Sequence, residues 1–205
     1  MSHDLAPTDI GEGLREAFVQ AMGRAATGVM VVGASDGGRR VAQTVSSMCS
    51  VSAEPPLVLV CIHRRSPVNA AIARSRSFCV SMLATRHDHV ADTFAGRPWP
   101  GKERWDFTCG DWEPARSGSP RLVDALAAFD CAVHSVVEAG SHLVYLGAVH
   151  DIVASTGAPL VYVDRSYARA HPVAPSYFPE FPDAHPDNRY GNPAVRPTPA
   201  TEDPS

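Results

Sequence analysis

Along the chain the apolar positions change period several times, and each change marks an element. Residues 10 to 25 carry Leu14, Phe18 and Met22 at helical spacing, with Glu12, Arg15 and Glu16 on other faces, which predicts an amphipathic helix leading into Gly28. The run Gly28 to Ala34 (GVMVVGA) is β-branched and gives way to Asp36-Gly37-Gly38, a turn signal, so a first hairpin pairs it with residues 39 to 46. Thr44 to Ile62 (TVSSMCSVSAEPPLVLVCI) then sets hydroxyls (Thr44, Ser46, Ser47, Ser50, Ser52) and two prolines ahead of an apolar strand, Leu57 to His63. Ser66 is placed to cap the following helix, SPVNAAIARS, with Pro67 in its first turn. Ser77 to Leu83 alternates as another strand, and residues 87 to 95 form a short helix ending at Gly96.

From Gly96 to Ser119 the chain turns to Pro, Gly, Trp and charge without a usable period, which predicts a functional or mobile loop, a lid or a subunit contact. Apolar character returns in three β-rich segments, Leu126 to Glu138, His142 to Ser155 and Leu160 to Arg165, the first two joined by a hairpin at Ala139-Gly140-Ser141. Beyond Ala168 half of the 18 prolines fall between Pro172 and Pro204, a tail that builds no core of its own. About six strands, short helices and no regular βαβ alternation predict a mainly β fold, an antiparallel barrel with peripheral helices.

Composition narrows the function classes. The 205 residues are 44% hydrophobic with net charge -4 and no Lys/Arg-rich run, which suits one globular domain and argues against nucleic acid and membrane surfaces as partners. No apolar stretch approaches a bilayer span and the N-terminus lacks a signal-peptide pattern, so a cytoplasmic protein is expected. Five cysteines without a CxxC pair argue against a disulfide framework or a zinc site.

Several chemical signatures are missing: GxGxxG after a strand, a P-loop, a GxSxG elbow and HExxH. His134, His142 and His150 recur every eight residues, but equal spacing on strands of changing direction does not converge, and no metal is expected. His142 stands apart, because it adjoins the Gly140-Ser141 turn, from which a side chain can project over a pocket. His87 and His89 flank Asp88 at a helix start, and Ser66 and Asn69 sit at another, where free backbone N–H groups favour either simple capping or a phosphate.

Six ordered blocks, ATGVMVVGA, TVSSMCSVSAEPPLVLVCI, SPVNAAIARSRSFCVSML, HVADTFAG, GSHLVYLGAV and LVYVDRSY, resemble the flavin reductase family, the small reductase components of two-component flavin-dependent monooxygenases. The likeness covers residues 14 to 168, leaving residues 1 to 13 as a flexible N-terminus and 169 to 205 as the proline-rich tail. It implies a Greek-key-like split β-barrel of FMN-binding type, a homodimer that binds FMN or FAD, takes hydride from NADH or NADPH and supplies a partner monooxygenase. Carried over by position, it assigns Thr44, Ser46, Ser47, Met48 and Ser50 to the isoalloxazine ring, with Val45 and Ser52 beside them. Cys61 and Ile62, then Ser66 and Asn69, would follow the ribityl chain to the phosphate, and Phe94 and Ala95 would line the flavin. The family's Gly-Asp-His reads Gly140-Ser141-His142 here, so His142 is the nicotinamide-binding and catalytic candidate with its orienting carboxylate replaced, and Arg165 and Tyr167 are further nicotinamide contacts. Two alternatives stay open: a retained flavin acting directly on an organic substrate enclosed by the 96–119 segment, and a non-catalytic flavin-binding protein.

Overall fold

The computed structural model of the protein describes residues 11–171. The chain divides into a compact unit, Met1–Ala170, and a second, His171–Ser205, of which only His171 is described. Most of the proline-rich tail and most of the expected flexible N-terminus therefore lie outside the described residues.

Twelve strands and three α-helices are described, with two short 3-10 turns at Thr85–His87 and Phe107–Cys109. In order they are α1 (Glu12–Gly23), β1 (Thr27–Gly28), β2 (Met30–Asp36), β3 (Arg39–Val45), β4 (Met48–Ala53), β5 (Pro56–His63), α2 (Val68–Ser75), β6 (Ser77–Met82), α3 (Asp88–Phe94), β7 (Trp112–Pro114), β8 (Pro120–Leu122), β9 (Ala127–Ala139), β10 (His142–Ala154), β11 (Leu160–Val163) and β12 (Ser166–Arg169). The main antiparallel sheet runs β3-β2-β6-β9-β10-β5-β4, with β1-β11-β12 and β7-β8 as smaller sheets. This is the expected mainly β split barrel with peripheral helices. Among the described residues no helix is long and apolar enough to cross a membrane.

β2 shows why the barrel forms. Its alternate side chains serve two cores: Met30, Val32 and Ala34 pack with α2 and β5, while Val31 and the preceding Val29 pack with α3, Leu83 and Leu160. A strand buried on both faces needs apolar residues at every position, which is what the run VMVVGA supplies. Its hairpin with β3 closes through Gly37 and Gly38, both at positive φ, with Asp36 opposite Arg39.

Four expectations change. The hydroxyl stretch is not all loop: Met48–Ala53 is a strand, because β5 pairs back onto it through a tight turn at Glu54-Pro55. The 96–119 segment is more ordered than its irregular period implied. Phe107 and Trp112 stack edge-on to Phe94, at 5.0 and 5.3 Å between ring centres, and β7 pairs with β8. Aromatic spacing without a period is what a loop plugging the second core looks like in sequence. Ser66 lies before α2 instead of capping it closely, accepting a long 3.4 Å bond from the Val68 N–H. Finally, α1 forms as expected but buries none of its residues; Leu14 and Phe18 are 64% and 62% exposed.

Candidate functional site

The hydroxyl stretch sits where β3 leaves the sheet and β4 enters it. The bend at Ser46-Ser47 is stitched to β5 by a reciprocal pair, Cys61 N–H to Ser47 O at 3.1 Å and Ser47 Oγ to Cys61 O at 3.0 Å. Among the described residues nothing accepts from the backbone N–H of Ser46 or Ser47. A bend outside the ladder, held open by its neighbours, thus presents two unpaired donors at the surface.

The hydroxyls divide by role. Thr44 donates to Ala91 O at 2.7 Å, and Ser52 accepts from the Glu54 N–H at 3.1 Å, so both fix backbone. Ser46 and Ser50 are exposed and carry no described hydrogen bond. Of the apolar candidates, Ile62 and Phe94 are fully buried and Val45 nearly so, so their side chains belong to the cores. Met48, Cys61 and Ala95 are partly exposed.

Two hollows meet at the bend. One, of about 620 Å³, lies between the Phe18, Val19 and Met22 face of α1 and residues Ser46 to Cys49, with Tyr162 and Arg165 opposite. The other, about 190 Å³, is walled by Thr44, Val45, Ser46, Ala95, Arg97, Tyr162 and Tyr167. Tyr167 does not offer its phenol freely. It donates to Asp92 at 3.0 Å, and burial with that carboxylate beside it pushes its pKa well up, so it stays a neutral wall. Trp99 donates to the other Asp92 oxygen at 3.1 Å, and Arg97 lies 3.7 Å away, which makes Asp92 the tie that sequence reading missed.

The expected phosphate end is a turn, residues 63 to 66, held from beneath. Asn69 is buried and donates to His63 O and Arg64 O at 2.9 and 3.2 Å, while Tyr145 donates to its Oδ1 at 3.1 Å. Its amide is fully engaged, so Asn69 braces the turn. Ser66 donates to Gln43 Oε1 at 3.2 Å, and Gln43 donates to Phe94 O at 3.1 Å, which bolts the turn to β3 and to the end of α3.

His142 opens β10 opposite His63 on β5, with the two rings edge to face at 5.3 Å. Its Nδ1 lies 2.9 Å from Ser141 Oγ, so the neighbouring hydroxyl can orient the ring. His63 was missed because only the β5–β10 register reveals it. Arg165, with φ 60°, and Tyr167 both reach the hollows at the bend and do not line the His63 turn.

The remaining histidines do other work. His87 is buried, its Nδ1 accepting the Ala84 N–H at 3.1 Å and its Nε2 3.1 Å from Asp124. Burial lowers its pKa against the opposing pull of Asp124, so it is a neutral structural tie with its proton on Nε2. His89 contacts Cys109 O at 3.0 Å and the Trp99 ring. His134 and His150 are exposed on β9 and β10, and among the described residues no group of three or more His, Cys, Asp or Glu could hold a metal. Cys79 and Cys131 are buried, and desolvation pushes both thiols up to about 12, which makes them inert core residues.

Residues 22–171 match the flavin reductase like domain family. The sequence is 42% identical over 160 residues to FMN reductase (NADH) RutF 1 of Methylorubrum extorquens, covering 78% of each chain. Its fold is similar to the NADH:FAD oxidoreductase SgcE6 of Streptomyces globisporus, with TM-score 0.69, 28% identity and 84% and 99% of the two chains covered. It is similar too to nitrilotriacetate monooxygenase component B from Mycobacterium thermoresistibile, with TM-score 0.70, 31% identity and 83% and 96% covered.

Proposed function

The chain belongs to the flavin reductase like family, and on that premise we propose that it passes hydride from NADH to FMN or FAD and supplies the reduced flavin to a separate flavin-dependent monooxygenase. The observation that carries this reading is the Ser46-Ser47 bend, whose two free N–H donors stand between an apolar hollow of about 620 Å³ and a smaller one. An isoalloxazine ring needs that combination: apolar cover for its faces, and donors for the edge that gains negative charge on reduction. Bound there, the flavin supplies the hydride-accepting chemistry, and the protein contributes alignment and electrostatics.

The residues then take distinct parts. Ser46 and Ser47 hold the ring edge through their backbone, with the Ser46 hydroxyl available besides. Met48 and Tyr162 cover its faces, and Thr44 and Ala95 close the smaller hollow. His142, oriented by Ser141, holds the nicotinamide, and Arg165 stands at the rim of the larger hollow. A grip made of hydroxyls and backbone at an exposed bend suits a flavin that leaves after reduction. Phe107 and Trp112 are packed against Phe94, while Trp99, Pro100, Lys102, Thr108 and Cys109 of the same segment line a separate hollow of about 450 Å³, the place the retained-flavin alternative has for its substrate.

The names of the relatives support NADH over NADPH. The functional unit in this reading is a cytoplasmic homodimer, supported by the open apolar face of α1 and by the exposed Val136, Val137, Ile152 and Val153 on β9 and β10. Loss of the NADH absorbance band should require added flavin, FMN or FAD, and run faster with NADH than with NADPH. No flavin-dependent loss with any of these pairings would overturn the reading.

A further inference from the structure

The hollow of about 450 Å³ in the 96–119 segment sets Trp99, Pro100, Lys102 and Thr108 against His89 and Thr93 of α3. That volume lies within the range of small-ligand sites. It shares no lining residue with either hollow at the Ser46-Ser47 bend, so an occupant acts on the flavin cleft through the protein between them. Two rings give it character. Trp99 and His89 meet at 5.7 Å between ring centres, with their planes at 64°. Each is pinned by its ring N–H: Trp99 Nε1 donates to Asp92 Oδ2 at 3.1 Å, and His89 Nε2 to Cys109 O at 3.0 Å. Yet Trp99 packs into no core and is 48% exposed, unlike Phe107 and Trp112 in the same segment. An anchored indole with an open face suits a flat apolar ring.

Lys102 supplies the charge. It is exposed and has no carboxylate within ion-pair distance among the described residues, which leaves its ammonium at the hollow free to meet an anion. We propose that this hollow binds a small aromatic carboxylate, its ring on Trp99 and its carboxylate beside Lys102, and that the occupant orders the flavin cleft through Asp92. The link is one carboxylate shared by two sites. Asp92 accepts the Trp99 N–H on Oδ2 at 3.1 Å and the Tyr167 hydroxyl on Oδ1 at 3.0 Å, and Tyr167 walls the hollow of about 190 Å³ together with Thr44 and Ser46. A ring stacked on Trp99 holds the indole where it bonds Asp92, and Asp92 in turn holds the Tyr167 wall. Flavin then enters a cleft whose ordering cost has been met by the first ligand, which couples the two sites positively. The coupling rests on the flavin reductase reading, whereas the carboxylate site rests on Trp99, His89 and Lys102 alone.

Benzoate is the probe, benzyl alcohol its uncharged control, and titration calorimetry the readout. The wild type should bind benzoate about fivefold more tightly than benzyl alcohol, the yield of one exposed ion pair, and Lys102→Met should erase the difference. Saturating benzoate should lower the Kd of FMN about fivefold, and FMN should lower the Kd of benzoate by the same factor. Trp99→Phe separates binding from coupling, because it keeps a ring to stack on and loses the N–H that reaches Asp92. It should bind benzoate and leave the Kd of FMN unmoved. No benzoate binding by the wild type, equal binding of benzoate and benzyl alcohol, or benzoate binding that leaves FMN affinity unchanged overturns the proposal. Coupling that survives in Trp99→Phe overturns it too. FMN reduced by NADH with no benzoate bound would leave the flavin reductase reading standing without this site. Benzoate bound with no FMN bound or reduced would instead overturn that reading and support the carboxylate site.

Discussion

At the scale of single residues, the account turns on which polar groups are free and which are engaged. The sequence presents Thr44, Ser47, Ser66 and Asn69 as ligand contacts, but hydrogen bonds to Ala91, Cys61, Gln43 and the His63 turn make them partly or wholly scaffold. What remains free is backbone at Ser46 and Ser47, together with the side chains of Ser46, Ser50 and Arg65, and no sequence pattern distinguishes a free hydroxyl from an engaged one. For His142 the position after the Gly140-Ser141 turn was legible, but not the 2.9 Å approach of Ser141 Oγ to its Nδ1, where the replaced carboxylate had suggested that an orienting partner was lost. Replacing it with alanine should raise the KM for NADH roughly tenfold, the equivalent of one hydrogen bond of about 1.4 kcal/mol. The KM for flavin should stay nearly fixed, and steady-state kinetics with each substrate varied in turn separates the two. Equal changes in both constants would mean that His142 serves the fold and not the nicotinamide.

At the scale of elements, the hairpins were the most legible feature, because Gly37-Gly38 and Gly140-Ser141 fall between runs of matched period. Packing between elements was not. Gly147 in the middle of β10 has no turn to make; it is glycine because a Cβ there would lie 2.5 Å from Phe78 and 2.9 Å from Cys131. Gly147→Ala should therefore destabilise the protein by ~1–3 kcal/mol through overpacking, seen as a lower urea midpoint at unchanged slope. The tie between His87, which immediately precedes α3, and Asp124 predicts a pH dependence. Burial holds the folded imidazole below its ordinary value of 6.5, so as pH falls through that region the unfolded chain takes up a proton that the folded chain refuses. Stability then falls with pH until the lowered folded value is passed. Asp124 adds to acid sensitivity only below its ordinary 3.8, because the bonds from His87 and Arg86 outweigh its burial and lower its value. Thermal melts between about pH 7.5 and 5.5 should be steeper for the wild type than for His87→Gln, which keeps an acceptor for the Ala84 N–H. Parallel curves would refute this role for His87.

At the scale of the whole molecule, the mainly β barrel was legible from the predominance of strands and the absence of βαβ spacing, although about six strands were expected and twelve are described, and the family from six blocks in order. The face of α1 left exposed among the described residues, where it walls the larger hollow, was not, since amphipathic spacing predicts a buried stripe without saying which chain buries it. If a second copy covers it, Phe18→Asp should shift the protein from dimer to monomer in sedimentation, whereas an unchanged mass would place any dimer contact elsewhere. The central claim, that flavin is reduced here and then leaves, is tested most directly by one anaerobic single turnover followed by ultrafiltration. Mixed with one equivalent each of FMN and NADH, the protein should bleach the flavin's visible band, and the colourless reduced flavin should pass the membrane while the protein is retained. A flavin that keeps its colour, or that is reduced but stays with the protein, would contradict the account.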